Sequence, residues 1–307
     1  MQSVISQAYF HNEAAAYKFV EAKVWPNGPV CPHCGGVERI APMKGKSTRI
    51  GLYKCYQCRK PFTVKIGTIF ESSHIPLRFW LQAIFLMTSS KKGISANQLH
   101  RTFGITLKSA WFMCHRIREA MKPDGSLGPL GGAGKIVEAD ETFIGNKKGF
   151  KVRAGVTHKF KVLSLLERGG SVRSVRIPNL NRGTIEKVVR ENVALESRMM
   201  TDTAAYYRQP LAGFASHETV NHFQEEYVRG EVYTNTLEGY FSLFKRGMKG
   251  VYQHCREKHL HRYLAEFDFR YNNRVALGVN DEARAARAVA GIVGKRLTYR
   301  TVNREMD

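Results

Sequence analysis

The stretch Ile136-Val-Glu-Ala-Asp-Glu-Thr-Phe-Ile144 has the β-branched, half-alternating pattern of a strand, yet carries three carboxylates. A period of two sets Ile136, Glu138 and Asp140 on one face and Glu141 on the other. Downstream, Phe160 to Leu166 and Val172 to Ile177 read as two more strands, with Gly169-Gly170 as a hairpin turn between them. Asn181 to Val193 reads as a helix capped by Asn181, Arg198 to Thr201 as a short buried strand, and His217 to His222 as a fifth strand. Strand, strand, strand, helix, strand is an α/β order. A long helical region starts at Asn235, is interrupted near Gly247 and Gly250, and is followed by a last helix over about 281–293.

Working back toward the N-terminus, the glycine-rich stretch from Lys122 to Gly134 is the best linker. Before it, Ile94 to Gly104 and Ile105 to Arg118 have the order of a helix-turn-helix, with Gly104 at the turn and Thr106 capping the second helix. That helix is expected to bury Ala110, Met113 and Ile117. Lys108, Trp111, His115 and Arg118 are then free to touch phosphates and base edges. A plain three-helix packing unit with a basic face is the competing reading. A further helical pattern covers 76–90, and another covers 8–22, where Pro26-Asn27-Gly28-Pro29 ends it.

Between them lie Cys31-Pro-His-Cys34 and Cys55-Tyr-Gln-Cys58, two pairs separated by 20 residues. A cysteine pair on a tight turn presents two thiolates at the bite zinc requires, and two such turns close a tetrahedron. The site has no open position, so the Zn²⁺ is structural. Cys114 and Cys255 stand alone and read as reduced, partly buried thiols.

Lys and Arg number 48 against 26 Asp and Glu, a net charge of +22 that is most useful opposite a polyanion. No stretch approaches the ~20 apolar residues of a membrane span, and the N-terminus lacks the basic-then-apolar order of a signal peptide. The expectation is a cytoplasmic, nucleoid-associated bacterial protein with no membrane partner and with nucleic acid as its main one.

Three carboxylates invite a metal reading. Asp140 lies in a strand, Asp202 ends another, and Glu238 follows 35 residues later in the first turn of the long helix. Together they are suited to hold two Mg²⁺ or Mn²⁺ ions roughly 3.5–4 Å apart for phosphoryl transfer. Each also has a plain alternative: Asp202 as a helix N-cap, and Glu238 completing a capping box with Asn235.

The ribbon, Val137-Glu-Ala-Asp-Glu-Thr-Phe-Ile-Gly145, Thr201-Asp-Thr-Ala-Ala-Tyr206, the run Asn235-Thr-Leu-Glu-Gly-Tyr-Phe-Ser-Leu-Phe-Lys-Arg-Gly-Met-Lys-Gly250 and Phe269-Arg-Tyr-Asn-Asn-Arg274 resemble the ISXO-like insertion-sequence transposases across nearly the whole chain. The resemblance implies an RNase H-like mixed sheet with flanking helices, preceded by the small zinc ribbon and the helix-turn-helix-like segment. It implies a D-D-E metal triad at Asp140, Asp202 and Glu238, with Asn235 and His222 as accessory positions.

It further implies a DNA transposase that cleaves at transposon ends and transfers strands into target DNA, acting on terminal inverted repeats as a homodimer or higher multimer. Lys245, Arg246 and Lys249, then Arg256, Lys258 and Arg262, would follow the DNA backbone, while Tyr240, Phe241 and Phe244 read as core. The expected domains are 1–72 (N-terminal helix and ribbon), 73–122 (DNA-binding helices), 123–134 (linker), 135–275 (catalytic) and 276–307 (helical tail). The competing functions are a zinc-ribbon DNA-binding regulator with an inactive RNase H-like domain, and a structure-specific nuclease of the same fold.

Overall fold

The computed structural model describes residues 3–125, 127–147, 149–151, 155–221 and 224–298. The chain divides into two units, one drawn from Met1–Ser90, Ile94–Lys122 and Asp281–Asp307, the other from Lys91–Gly93 and Pro123–Asn280.

The first unit opens with α1 (Glu13–Val24), which starts later than the helical pattern suggests because Asn12 caps it, its side chain accepting the Ala15 N–H. A small antiparallel sheet follows, β1 (Ile40–Pro42), β2 (Tyr53–Cys55) and β3 (Pro61–Phe62). Trp25, Ile40, Tyr53, Phe62 and Ile66 pack around its cysteines. Three helices come next: α2 (Leu77–Ser89), α3 (Ala96–Phe103) and α4 (Leu107–Ala120). Gly104 ends α3 in the left-handed region at φ +63°, and Thr106 caps α4 by accepting the Ser109 N–H at 3.1 Å.

The last helix among the described residues, α9 (Asp281–Ala290), belongs to the first unit. It packs on α2, burying Arg284, Ala288 and Val289, and Arg284 donates to the Thr88 carbonyl at 3.1 Å. An amphipathic pattern says which face of a helix is buried but not against what, which is why the sequence left this helix unattached.

The second unit is built on five strands: β4 (Ile136–Ile144), β5 (Phe160–Glu167), β6 (Val172–Ile177), β7 (Arg198–Asp202) and β8 (Ser216–Val220). Their spatial order is β6-β5-β4-β7-β8. The β4–β5 and β5–β6 pairs are antiparallel, and β4–β7 and β7–β8 are parallel. This is the RNase H-like mixed sheet.

Helices cover both faces, so β5, an interior strand beside the central β4, is apolar on both. Its Leu163 and Leu165 join α5 (Arg182–Asn192) and the short α6 (Ala205–Arg208) in one core, together with Val137, Ala139, Met199 and Tyr207. Its Phe160, Val162 and Leu166 face the other way, onto α7 (Asn235–Gly247) and α8 (Glu257–Asn272). There Phe244 and Phe267 meet edge to face at 5.1 Å, and Tyr240, Phe241 and Phe244 are all buried as core residues. One turn of π-helix, Met248–Tyr252, separates α7 from α8 where the glycines interrupt the helical pattern.

Candidate functional site

The four cysteines come together as spacing predicts, with all four Sγ atoms within 4.8 Å of one another. A tetrahedral zinc with bonds of about 2.3 Å separates its sulfurs by about 3.8 Å. Cys31–Cys58 and Cys34–Cys55 are each 3.7 Å apart, the spacing that zinc requires of these two pairs. The first turn is possible because Gly35 takes φ +73° and donates its N–H to the Cys31 carbonyl.

In the second unit Asp140 lies in β4, and Asp202 is the last residue of β7. The pairing of these two strands runs from Ile136↔Arg198 to Glu138↔Met200 and stops there. Continuing the register by two residues sets Asp140 level with Asp202, just where the strands part. A ligand site at the carboxyl end of a parallel pair is the expected place in an open α/β sheet. Glu238 comes to the same place from the first turn of α7.

An open cleft of about 630 Å³ is lined by Asp140, Glu141, Glu238, Phe241, Ser242, Lys245, Arg246 and Lys249. Three acidic groups and three cations in one lining suit a phosphate chain held near divalent metal. Among the described residues, only the four cysteines form a group of three or more metal-ligating side chains with all ligand atoms within 4.8 Å. The three acids are therefore neighbours by charge, not a closed ligand cage.

Burial, with the charges of Glu141, Asp202 and Glu238 added to it, pushes the Asp140 carboxyl up to about 8. Such a group binds its proton more tightly when folded. Its contribution to stability is complete below its ordinary 3.8 and is lost as pH rises through 8. Without added divalent ions, the zinc-loaded protein is thus expected to melt at falling temperature between those pH values, and Asp140→Asn to flatten the fall. Melting curves of identical pH dependence for the two proteins would sink this prediction.

The plain alternatives for Asp202 and Glu238 do not match the local geometry. Asp202 accepts the Ala204 N–H at 3.0 Å in a turn, while the N-cap of α6 is Ala204. The N-cap of α7 is Thr234, not Asn235, so Glu238 falls one position beyond that of a capping box. Asn235 is exposed at the first position of α7, one turn before Glu238. His222 lies outside the described residues.

Two expected DNA contacts must be corrected. His115 and Arg118 are buried at 1% and 2% exposure. The reason is that α4 buries Ala110, Met113, Cys114, His115, Arg116, Ile117, Arg118 and Ala120, most of its circumference, where the sequence pattern suggested a single apolar face. Lys108 stays exposed and Trp111 half-buried, its ring 4.1 Å from that of His115.

Sequence reasoning missed two acids of β4. Glu141 accepts hydrogen bonds from the hydroxyls of Tyr206 and Tyr207, the latter at 2.8 Å, which fastens the segment after Asp202 to β4. Burial raises its carboxyl, and the two tyrosines partly offset this. Glu138 is fully buried and bonded to Arg168 and to the backbone of α7. Their signal was a charged residue inside a strand otherwise fit for burial, which demands a partner.

Residues 129–272 match the ISXO2-like transposase domain, and residues 11–61 match the transposase zinc-ribbon domain. The chain thus carries an ISXO2-like transposase domain and a transposase zinc-ribbon domain. It is 28% identical over 281 residues to a protein in transposable element ISH50 of Halobacterium salinarum, covering 85% of this chain and 91% of that relative. It is also 28% identical over 102 residues to a transposase-like protein of Haemophilus influenzae, covering 33% of this chain and 81% of that one. A chain of the simian T-cell lymphotropic virus intasome in complex with PP2A regulatory subunit B56 gamma aligns at 14% identity and a TM-score of 0.27, over 55% of this chain and 63% of that chain. That likeness is too weak to bear on function. No helix among the described residues is long and apolar enough to cross a membrane.

Proposed function

We infer that this protein cuts DNA at the ends of a mobile element and joins those ends to a new site by metal-assisted phosphoryl transfer. The observation that carries the reading is that Asp140 and Glu238, from a strand and a helix, line a cleft with Lys245, Arg246 and Lys249, and that Asp202, from the neighbouring strand, lies close enough to Asp140 for its charge to act on it. These acids would hold two Mg²⁺ or Mn²⁺ ions, which would supply neutralisation of phosphate charge and activation of the attacking oxygen. In the first step a water attacks the phosphodiester at an element end, and the broken P–O bond leaves a 3′-hydroxyl. In the second, that hydroxyl attacks a target phosphodiester, displacing its 3′-oxygen.

The rim cations hold the phosphates on either side of the reacting one, and Asn235 offers its amide to the same strand. A second cleft of about 970 Å³, lined in part by Arg176, His254, Arg256, Lys258 and His261, lets the basic track continue. The ribbon and the α3–α4 pair, with Lys108 exposed and Trp111 beside it, take the terminal inverted repeats, and the sheet unit does the chemistry. Two ends must be cut and joined together, which calls for a homodimer or higher multimer on DNA.

The test is an assay on labelled inverted-repeat duplex with Mg²⁺ and a target plasmid. Cleavage followed by joined product supports the reading. Binding without cleavage would make the protein a regulator, and cleavage without joining would make it a nuclease. Affinity for the duplex should also fall steeply with salt, by about 0.9 logarithmic units per phosphate neutralised for each tenfold rise in salt. A flat salt profile would point away from a DNA track.

A further inference from the structure

Glu138 sits two residues before Asp140 on β4, on the same face, with no exposed surface. Its Oε2 accepts the backbone N–H of Leu237 at 2.9 Å, and Leu237 immediately precedes Glu238. Its Oε1 accepts from Arg168 Nε at 2.6 Å. The other two nitrogens of that guanidinium donate to the carbonyls of Glu231 and Tyr233, each at 2.7 Å, and the group lies 3.5 Å over the Tyr233 ring. Both members of the ion pair are thus engaged with the chain at 231–237, the approach to α7.

Thr234, its N-cap, makes no side-chain capping bond; the Leu237 N–H, which also reaches the Thr234 carbonyl at 3.1 Å, takes a carboxylate from β4 where a local side-chain cap would otherwise stand. A negative charge there also matches the positive end of the helix.

A buried ion pair is a poor device for stability alone, since apolar side chains of the same volume usually do as well. What the carboxylate adds is direction: it holds the first turn of α7 at a fixed height along β4. The strand that carries Asp140 therefore also sets where Glu238 stands. We propose that Glu138, through Arg168 and the N-terminus of α7, is a positioning residue for the metal site. It rests on the reading of Asp140, Asp202 and Glu238 as metal ligands, and it adds that the spacing of two of them is set by one strand.

The experiment measures Mn²⁺ binding to the full zinc-loaded chain, without DNA, by loss of the free-ion EPR signal. It compares wild type with Glu138→Gln, Arg168→Lys and Glu238→Gln, and follows melting temperature and inverted-repeat affinity alongside. Glu138→Gln keeps size and one acceptor but turns an amide toward the guanidinium. Arg168→Lys keeps charge but cannot reach the carboxylate and both carbonyls in one plane. Loss of a group that orients a ligand typically weakens metal binding about 10–100-fold. That loss is expected in both variants, with the wild-type circular dichroism spectrum and DNA affinity retained and with cleavage recovering as Mn²⁺ is raised.

Unchanged Mn²⁺ affinity in folded Arg168→Lys, beside its loss in Glu238→Gln, overturns the positioning role and leaves the ligand reading standing. Unchanged affinity in Glu238→Gln overturns the ligand reading, and the proposal with it. Failure of both Glu138→Gln and Arg168→Lys to fold makes the pair a stability element and also overturns it.

Discussion

Glu238→Gln is expected to give a folded protein that binds inverted-repeat DNA and has lost Mg²⁺-dependent cleavage by several orders of magnitude. Glutamine keeps the length and polarity of the side chain but removes the charge a divalent ion requires. Because Glu238 lies beyond the capping-box position and is exposed at the cleft, the fold has little to lose from the change. A residue that only caps would cost at most about 1 kcal/mol of stability and leave chemistry intact. Asp140→Asn and Asp202→Asn should match the Gln variant. Any two combined should add little further loss, since groups acting on one metal pair are not additive. Cleavage by Glu238→Gln at near wild-type rate would remove Glu238 from the site.

The second large effect concerns the ribbon. Removing zinc with a chelator, or replacing Cys31 and Cys55 together by serine, should unfold the segment around β1–β3. A structural zinc contributes roughly 10–16 kcal/mol of apparent binding free energy, which in so small a segment is folding free energy. The apolar cluster of Trp25, Ile40, Tyr53, Phe62 and Ile66 is too small to replace it. Tryptophan fluorescence should report exposure of Trp25 as zinc leaves, and elemental analysis should find one zinc per chain beforehand. Full protection of the β1–β3 amides in demonstrably zinc-free protein would contradict this. The five-stranded sheet should keep its own melting transition, because its core lies between β5 and the helices of the second unit.

Much of this protein is written in short-range signals. Two cysteine pairs on tight turns are enough to specify a tetrahedral site, since the spacing within each pair fixes its bite whatever the rest of the chain does. Thr106 and Asn181 mark helix starts because each caps within three residues of itself. The strands of the second unit were legible from apolar and β-branched runs, and Asp140, Asp202 and Glu238 from their resemblance to a family pattern.

Tertiary structure alone decided the rest. Asp140 and Asp202 are level because β4 and β7 pair in parallel and part after Glu138 and Met200, a register no local pattern encodes. α7 is held near its start by a distant carboxylate, Glu138, 99 positions before the Leu237 N–H it accepts, where sequence offered only a local cap at Asn235. His115 and Arg118 are polar by composition yet buried, since neighbours around α4 set its exposure and its own periodicity does not. Periodicity and capping report the few residues on either side of a position. Which buried charge meets which backbone N–H depends on the packing of elements far apart in sequence, and that is settled only when the whole sheet has closed around them.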